Sequence, residues 1–120
     1  MECETMRMWM IDPKLLCRKH LLGEHYEIHK SIGNLRSGGN WVMSLTKNGY
    51  LEPQNFKKRH DMIVAEMTRR GYKHDSPVND DFSRTVVRGH VDVKMSVDDL
   101  ILRCEDCKNN IYALLVRCEK

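Results

Sequence analysis

The sequence predicts an all-α fold: one compact domain of about three main helices. Three observations carry that expectation. Apolar residues recur at helical rather than alternating spacing in the best-patterned stretches. Pro13 and Pro53 stand where helices can open, and glycines at 38, 39 and 71 stand where the periodicity dies. Finally, 120 residues with 41% hydrophobic and 31% charged content suit one core, because two would each be too small to bury enough apolar surface.

After the apolar lead MRMWMI, Asp12 reads as an N-cap with Pro13 at the first helical position, where its missing N–H costs nothing. The apolar residues of that first helix are Leu15, Leu16, Leu22, Tyr26 and Ile32, and RSGGN at 36–40 ends it. WVMSLTKNG, residues 41–49, is too short and mixed to assign. Pro53 opens a second helix carrying Phe56, Ile63, Val64 and Met67, which Gly71 closes. Residues 73–95, with Ser76-Pro77, Asn79-Asp80-Asp81 and Gly89, read as a long loop with a brief extended piece at 88–94. Ser96 and Asp99 resemble a capping box that starts the third helix. Leu100, Cys104, Cys107, Ile111, Leu114, Leu115 and Cys118 form its apolar stripe, so its cysteines are expected to pack against the other helices.

No apolar run approaches the ~20 residues that span a bilayer, and MECETMRMWM lacks the basic head and long apolar stretch of a secretion signal. An intracellular protein with reduced cysteines is expected. The net charge of +3 says little, but seven of the Lys and Arg residues fall within 47–74 against three acids. Lys57, Lys58, Arg59, Arg69 and Arg70 therefore suggest a phosphate-facing surface, unless they form only a solvated helix face.

Two spacings invite a metal. His25 and His29 stand four apart, but Glu27 is not directly after the first histidine as a zinc-protease helix requires, so two exposed histidines are expected instead. Cys104 and Cys107 have CxxC spacing, a weak signal without a second ligand pair. His20, Glu24 and Glu27 follow at i, i+4 and i+7 and line one helical face, with Lys30 near its edge and Arg7 close by. Such a set is either a solvated cluster or a cleft in which a carboxylate holds a developing cation or moves a proton.

DPKLLCRKHLLGEHYEIHK and NFKKRHDMIVAEMTRRGYKHDSP resemble the two signature helices of the pyrimidine-dimer DNA glycosylase family. The resemblance covers about residues 6–77 and implies a helical domain, residues 6–120, preceded by an extension at 1–5. It implies an N-terminal amine that attacks C1′ of the damaged nucleoside, forms an imine as the base leaves, and then permits β-elimination of the strand. A gapless count places that amine on Met6, if Met6 is the mature terminus, the catalytic carboxylate on Glu27, and matched residues on His20, Glu24 and Arg7. Tyr26 and Lys30 stand where the family carries arginines. The implied partner is double-stranded DNA, damaged or abasic, bound by a monomer through Arg7, Lys30 and the basic second helix. No cofactor and no metal is expected, and chelation should change nothing. A non-catalytic DNA-binding protein on the same fold is the chief alternative, and a zinc-dependent protein using His25/His29 or Cys104/Cys107 a third.

Overall fold

The computed structural model describes residues 7–74 and 76–118, and within them every regular element is helical. The five α-helices are α1 (Arg18–Arg36), α2 (Asn40–Lys47), α3 (Phe56–Arg69), α4 (Val93–Arg103) and α5 (Glu105–Cys118). The all-α expectation holds, with more helices than the three expected. None is long and apolar enough to cross a membrane.

The chain enters through a buried strip. Met8, Trp9 and Ile11 are almost wholly covered, and the Met8 N–H donates to the Tyr50 carbonyl at 2.8 Å. The Asp12-Pro13 signal is used, but for a single 3-10 turn at Pro13–Leu15, capped by the Asp12 side chain. Leu16 then turns extended and is fully buried, so α1 begins later, with Cys17 as its N-cap and the Cys17 Sγ accepting from the His20 N–H. The helix stops at Arg36, as RSGGN predicts, and Asn34 Oδ1 accepts from the Val42 N–H at 2.9 Å to start α2. The unassigned stretch at 41–49 is thus mostly helix.

Pro53 again makes a 3-10 turn, at Pro53–Asn55, before α3, and Gly71 ends that helix with φ of +86°, a conformation that favours glycine. Buried Leu21, Ile28 and Ile32 of α1 share one core with Phe56, Ile63 and Met67 of α3, and with Leu100, Cys107 and Ile111. Each such side chain contributes about 1.5–3 kcal/mol by leaving water.

The segment between α3 and α4 is irregular, as expected, but well tied. Phe82 packs edge-on to Phe56 with centroids 5.6 Å apart, and Gln54 brackets Gly89 with one bond to its carbonyl and one from its N–H. A Cβ on Gly89 would lie 2.4 Å from the Leu51 carbonyl oxygen, so only glycine fits. The expected capping box is corrected. Asp92, not Ser96, caps α4 by accepting from the Met95 N–H, which leaves Ser96 and Asp99 to bind Arg7. The expected third helix is also divided, because Cys104 adopts φ −136° and ψ 111° and separates α4 from α5.

Candidate active site

A shallow cleft opens beside the first half of α1. It is lined by Arg7 and Trp9 from the buried lead and by Lys19, His20, Gly23, Glu24 and Glu27 from the helix. The expected i, i+4, i+7 set does share a face. Gly23 sits in its middle, and a Cβ there would meet nothing within 4 Å, so the missing side chain leaves room over the helix.

Arg7 is held from several sides. Its Nη1 donates to Asp99 Oδ2 at 3.1 Å and its Nη2 to Ser96 Oγ at 2.6 Å, while the guanidinium lies 4.1 Å from the Trp9 ring centroid and 5.3 Å from that of Tyr50. Burial pushes its pKa down and the Asp99 carboxylate raises it. Position 7 is thereby fixed in space. Met6, directly before it, lies outside the described residues.

The two glutamates differ in kind. Glu24 is 1% exposed, and both its oxygens are committed to Arg59, at 2.6 Å to Nε and 3.0 Å to Nη2, while Arg59 Nη1 donates to the Ile11 carbonyl at 2.7 Å. A fork-to-fork pair of this kind holds two helices and the lead together; it is not a proton shuttle. Glu27, one turn on, is half-buried in the cleft.

The same pairing turns Arg59 of the basic second helix inward. Arg59 is 2% exposed. Arg70 reaches back across the core edge to the carbonyls of Pro13 and Leu16, and both Arg69 and Arg70 bind Glu66, whose pKa falls to about 2 because the Arg69 bond, aided by Arg70, outweighs burial. Lys57 spans Asp61 Oδ2 and the Val78 carbonyl, each at 2.9 Å. Of the five, Lys58 and Arg69 are exposed, and Lys30 is exposed on α1, 5.3 Å from the centroid of the Tyr26 ring. A charge count over 47–74 does not pair each cation with its acid, and here Glu24 from α1 takes Arg59 while Glu66 takes Arg69 and Arg70.

Two further clusters were read only in part. Cys17 and His20 from the start of α1 meet Cys104 and Cys107 from the α4–α5 junction, their potential ligand atoms all within 4.8 Å of one another. The other cluster joins His25 and His29 of α1 to His60 of α3 and His74 beyond it, with the same limit on spacing. His25 and His29 are therefore half-buried among imidazoles rather than exposed beside a basic surface. Cys107 does join the core, as expected of the cysteines, but its sulfur also faces this group. The second ligand pair that CxxC lacked was present in the sequence as Cys17 and His20, at the same spacing. Cys118 belongs to α5, and nothing is described of its side chain.

His20 serves two neighbourhoods. Its Nδ1 lies 3.3 Å from Cys17 Sγ and 3.6 Å from Cys107 Sγ, while its ring meets Trp9 edge-on at 5.6 Å between centroids and lines the cleft. Only the edge away from Nδ1 can serve chemistry there.

Comparison with curated proteins and with solved structures found no match to this chain. The family model described as pyrimidine dimer DNA glycosylase matches residues 6–80, a span that runs from the residue before Arg7 through α1, α2 and α3 and includes every residue lining the cleft. By that match over more than half its length, the chain belongs to the pyrimidine dimer DNA glycosylase family.

Proposed function

We propose that the chain removes damaged pyrimidine bases from duplex DNA by covalent catalysis from an N-terminal amine at residue 6, with Glu27 as the catalytic carboxylate. One observation carries this reading: Arg7, anchored by Asp99, Ser96 and the rings of Trp9 and Tyr50, lines the same cleft as Glu27. Arg7 is matched by the family model together with residue 6, which is the reason for assigning the amine to that position. An α-amine, with a pKa of about 7.7–8.0 against about 10.4 for lysine, is substantially unprotonated at neutral pH and so available as a nucleophile.

The amine nitrogen bonds to C1′ as the glycosidic bond breaks and the base departs with its electron pair. Loss of the amine proton and opening of the sugar give the imine, which acidifies the adjacent C2′–H so that the 3′ phosphate can be eliminated. Glu27 stabilises the positive charge that develops on the sugar and then on the iminium, an interaction made in the transition state more than in the ground state. Glu24 positions rather than reacts, because its oxygens are bound to Arg59. His20 can donate to the cleft only from the edge opposite Nδ1. Lys30, Lys58 and Arg69 supply positive charge toward the phosphates, whereas Arg7, Arg59 and Arg70 hold the scaffold.

The extension at 1–5 makes the mature terminus decisive. Borohydride reduction during incubation with an abasic duplex should trap a covalent protein–DNA adduct when the chain starts at Met6, with the attached residue identified by peptide mass. Failure to trap any adduct, in the Met6-start form and in the full chain alike, would overturn the covalent mechanism and favour a DNA-binding protein without lyase activity.

A further inference from the structure

The geometry points to a zinc ion bound by Cys17, His20, Cys104 and Cys107, clamping the start of α1 to the α4–α5 junction. With Zn–S near 2.3 Å and Zn–N near 2.0–2.1 Å, a tetrahedral ion places two sulfurs about 3.8 Å apart and a sulfur and nitrogen about 3.6 Å apart. Here Cys17 Sγ and Cys104 Sγ are 3.7 Å apart, and His20 Nδ1 is 3.3 Å from Cys17 Sγ and 3.6 Å from Cys107 Sγ.

Contacts between thiols could give similar distances, so the second observation matters more. Each sulfur receives a backbone N–H: Cys17 from His20 at 3.5 Å, Cys104 from Cys107 at 3.4 Å, and Cys107 from Cys17 at 3.2 Å. Neutral thiols are weak acceptors, whereas thiolates on a metal are stabilised by such donors. Thiolate and imidazole in tetrahedral array select zinc among the common divalent ions. α4 and α5 lie outside the family match at 6–80, and the ion would fasten them to the catalytic core.

The test uses the full chain, purified without chelator. Native mass spectrometry should find zinc that p-hydroxymercuribenzoate releases, and Cys104→Ser should lose that equivalent. Should that variant fail to fold, wild-type protein stripped by acid and refolded with cobalt(II) should show thiolate-to-cobalt charge-transfer absorption and intense tetrahedral visible bands. A refolded wild type lacking charge-transfer absorption, or a Cys104–Cys107 disulfide in place of zinc in the purified chain, would overturn the assignment.

A different observation carries a second site. We infer that His25, His29, His60 and His74 hold a divalent transition-metal ion, with zinc the best fit to four imidazoles. The Nε2 atoms of His25, His29 and His74 are buried and have no hydrogen-bond partner among the described residues, an arrangement that would waste three polar atoms unless a cation joined them. His60 Nδ1 lies 3.0 Å from Asp61 Oδ1, the carboxylate orientation that metal-bound histidines commonly use, and its Nε2 lies 3.1 Å from the Ser76 carbonyl, a contact that the ion would replace.

His74 follows α3 in an irregular segment, so His74→Asn should fold. It should carry one metal equivalent fewer than wild type while keeping the mercurial-released zinc and the charge-transfer band. Equal metal content in His74→Asn and wild type would refute the site. If the variant misfolds, adding zinc to chelator-stripped wild type should shift the imidazole nitrogen resonances of all four residues, and unmoved resonances would refute it equally.

Discussion

Glu24→Gln keeps the shape of the side chain and removes its charge, leaving Arg59 as a buried cation. Both side chains of the pair are almost wholly covered, at 0% and 2% exposure, so water cannot replace the lost carboxylate. Breaking one partner of such a pair costs about 3–5 kcal/mol. The amide oxygen can still accept one Arg59 N–H and the Ile11 carbonyl keeps its own, which puts the cost near the lower end. An unfolding entropy of about 2.1 cal/mol/K per residue over the chain converts about 3 kcal/mol into a Tm fall of roughly 12 °C. The assay is thermal unfolding followed by helical circular dichroism at pH 7, paired with a guanidinium titration. Replacing both partners by apolar residues, Glu24→Leu with Arg59→Met, should recover much of the loss but not all, since the Ile11 carbonyl then goes unpaired. A Glu24→Gln Tm within about 3 °C of wild type would refute the reasoning, because a cost near 3 kcal/mol cannot hide in so small a shift.

Glu27→Gln should leave Tm nearly unchanged and slow base removal roughly 100- to 1,000-fold, measured on dimer-containing duplex, with a smaller loss on preformed abasic sites. Gly23→Ala should raise stability by about 0.5–1 kcal/mol, since no atom opposes the new methyl, while Gly23→Leu should fill the cleft and weaken turnover without unfolding the chain. Glu66 has a folded pKa of about 2 against an ordinary 4.5, so the unfolded chain takes up its proton first. Its contribution is complete above about pH 4.5 and disappears as pH falls toward about 2, and Glu66→Gln should flatten that part of an acid titration of stability. Lys58→Gln should reduce the salt slope of duplex binding by about 0.9, whereas Arg70→Gln should lower Tm and leave the slope as it was.

The elements legible in the sequence were those punctuated by residues with one structural meaning. Gly71 stopped α3 because its φ of +86° suits glycine, and RSGGN stopped α1. The prolines were read too strongly. Pro13 and Pro53 each began a 3-10 turn, and α1 waited for the buried, extended Leu16 to pass. Ser96 and Asp99 imitated a capping box because the pairing that employs them comes from Arg7, far away along the chain.

Charge and ligand sets were only partly legible, for the same physical reason. A local window shows which groups a helix carries but not what the fold brings against them, so Arg59 read as a phosphate contact until Glu24 met it in the core. The short spacings at 17–20 and 104–107 were each visible, and only topology joins them. That junction bears on the catalytic reading. A metal on His20 Nδ1 would hold the ring as the Nε2–H tautomer, so the cleft would see an N–H donor at a fixed place. The segment beyond the family match would then set the protonation of a residue inside it. The Glu27 role does not depend on this, because Glu27 stands a further two turns along α1, outside both side-chain clusters.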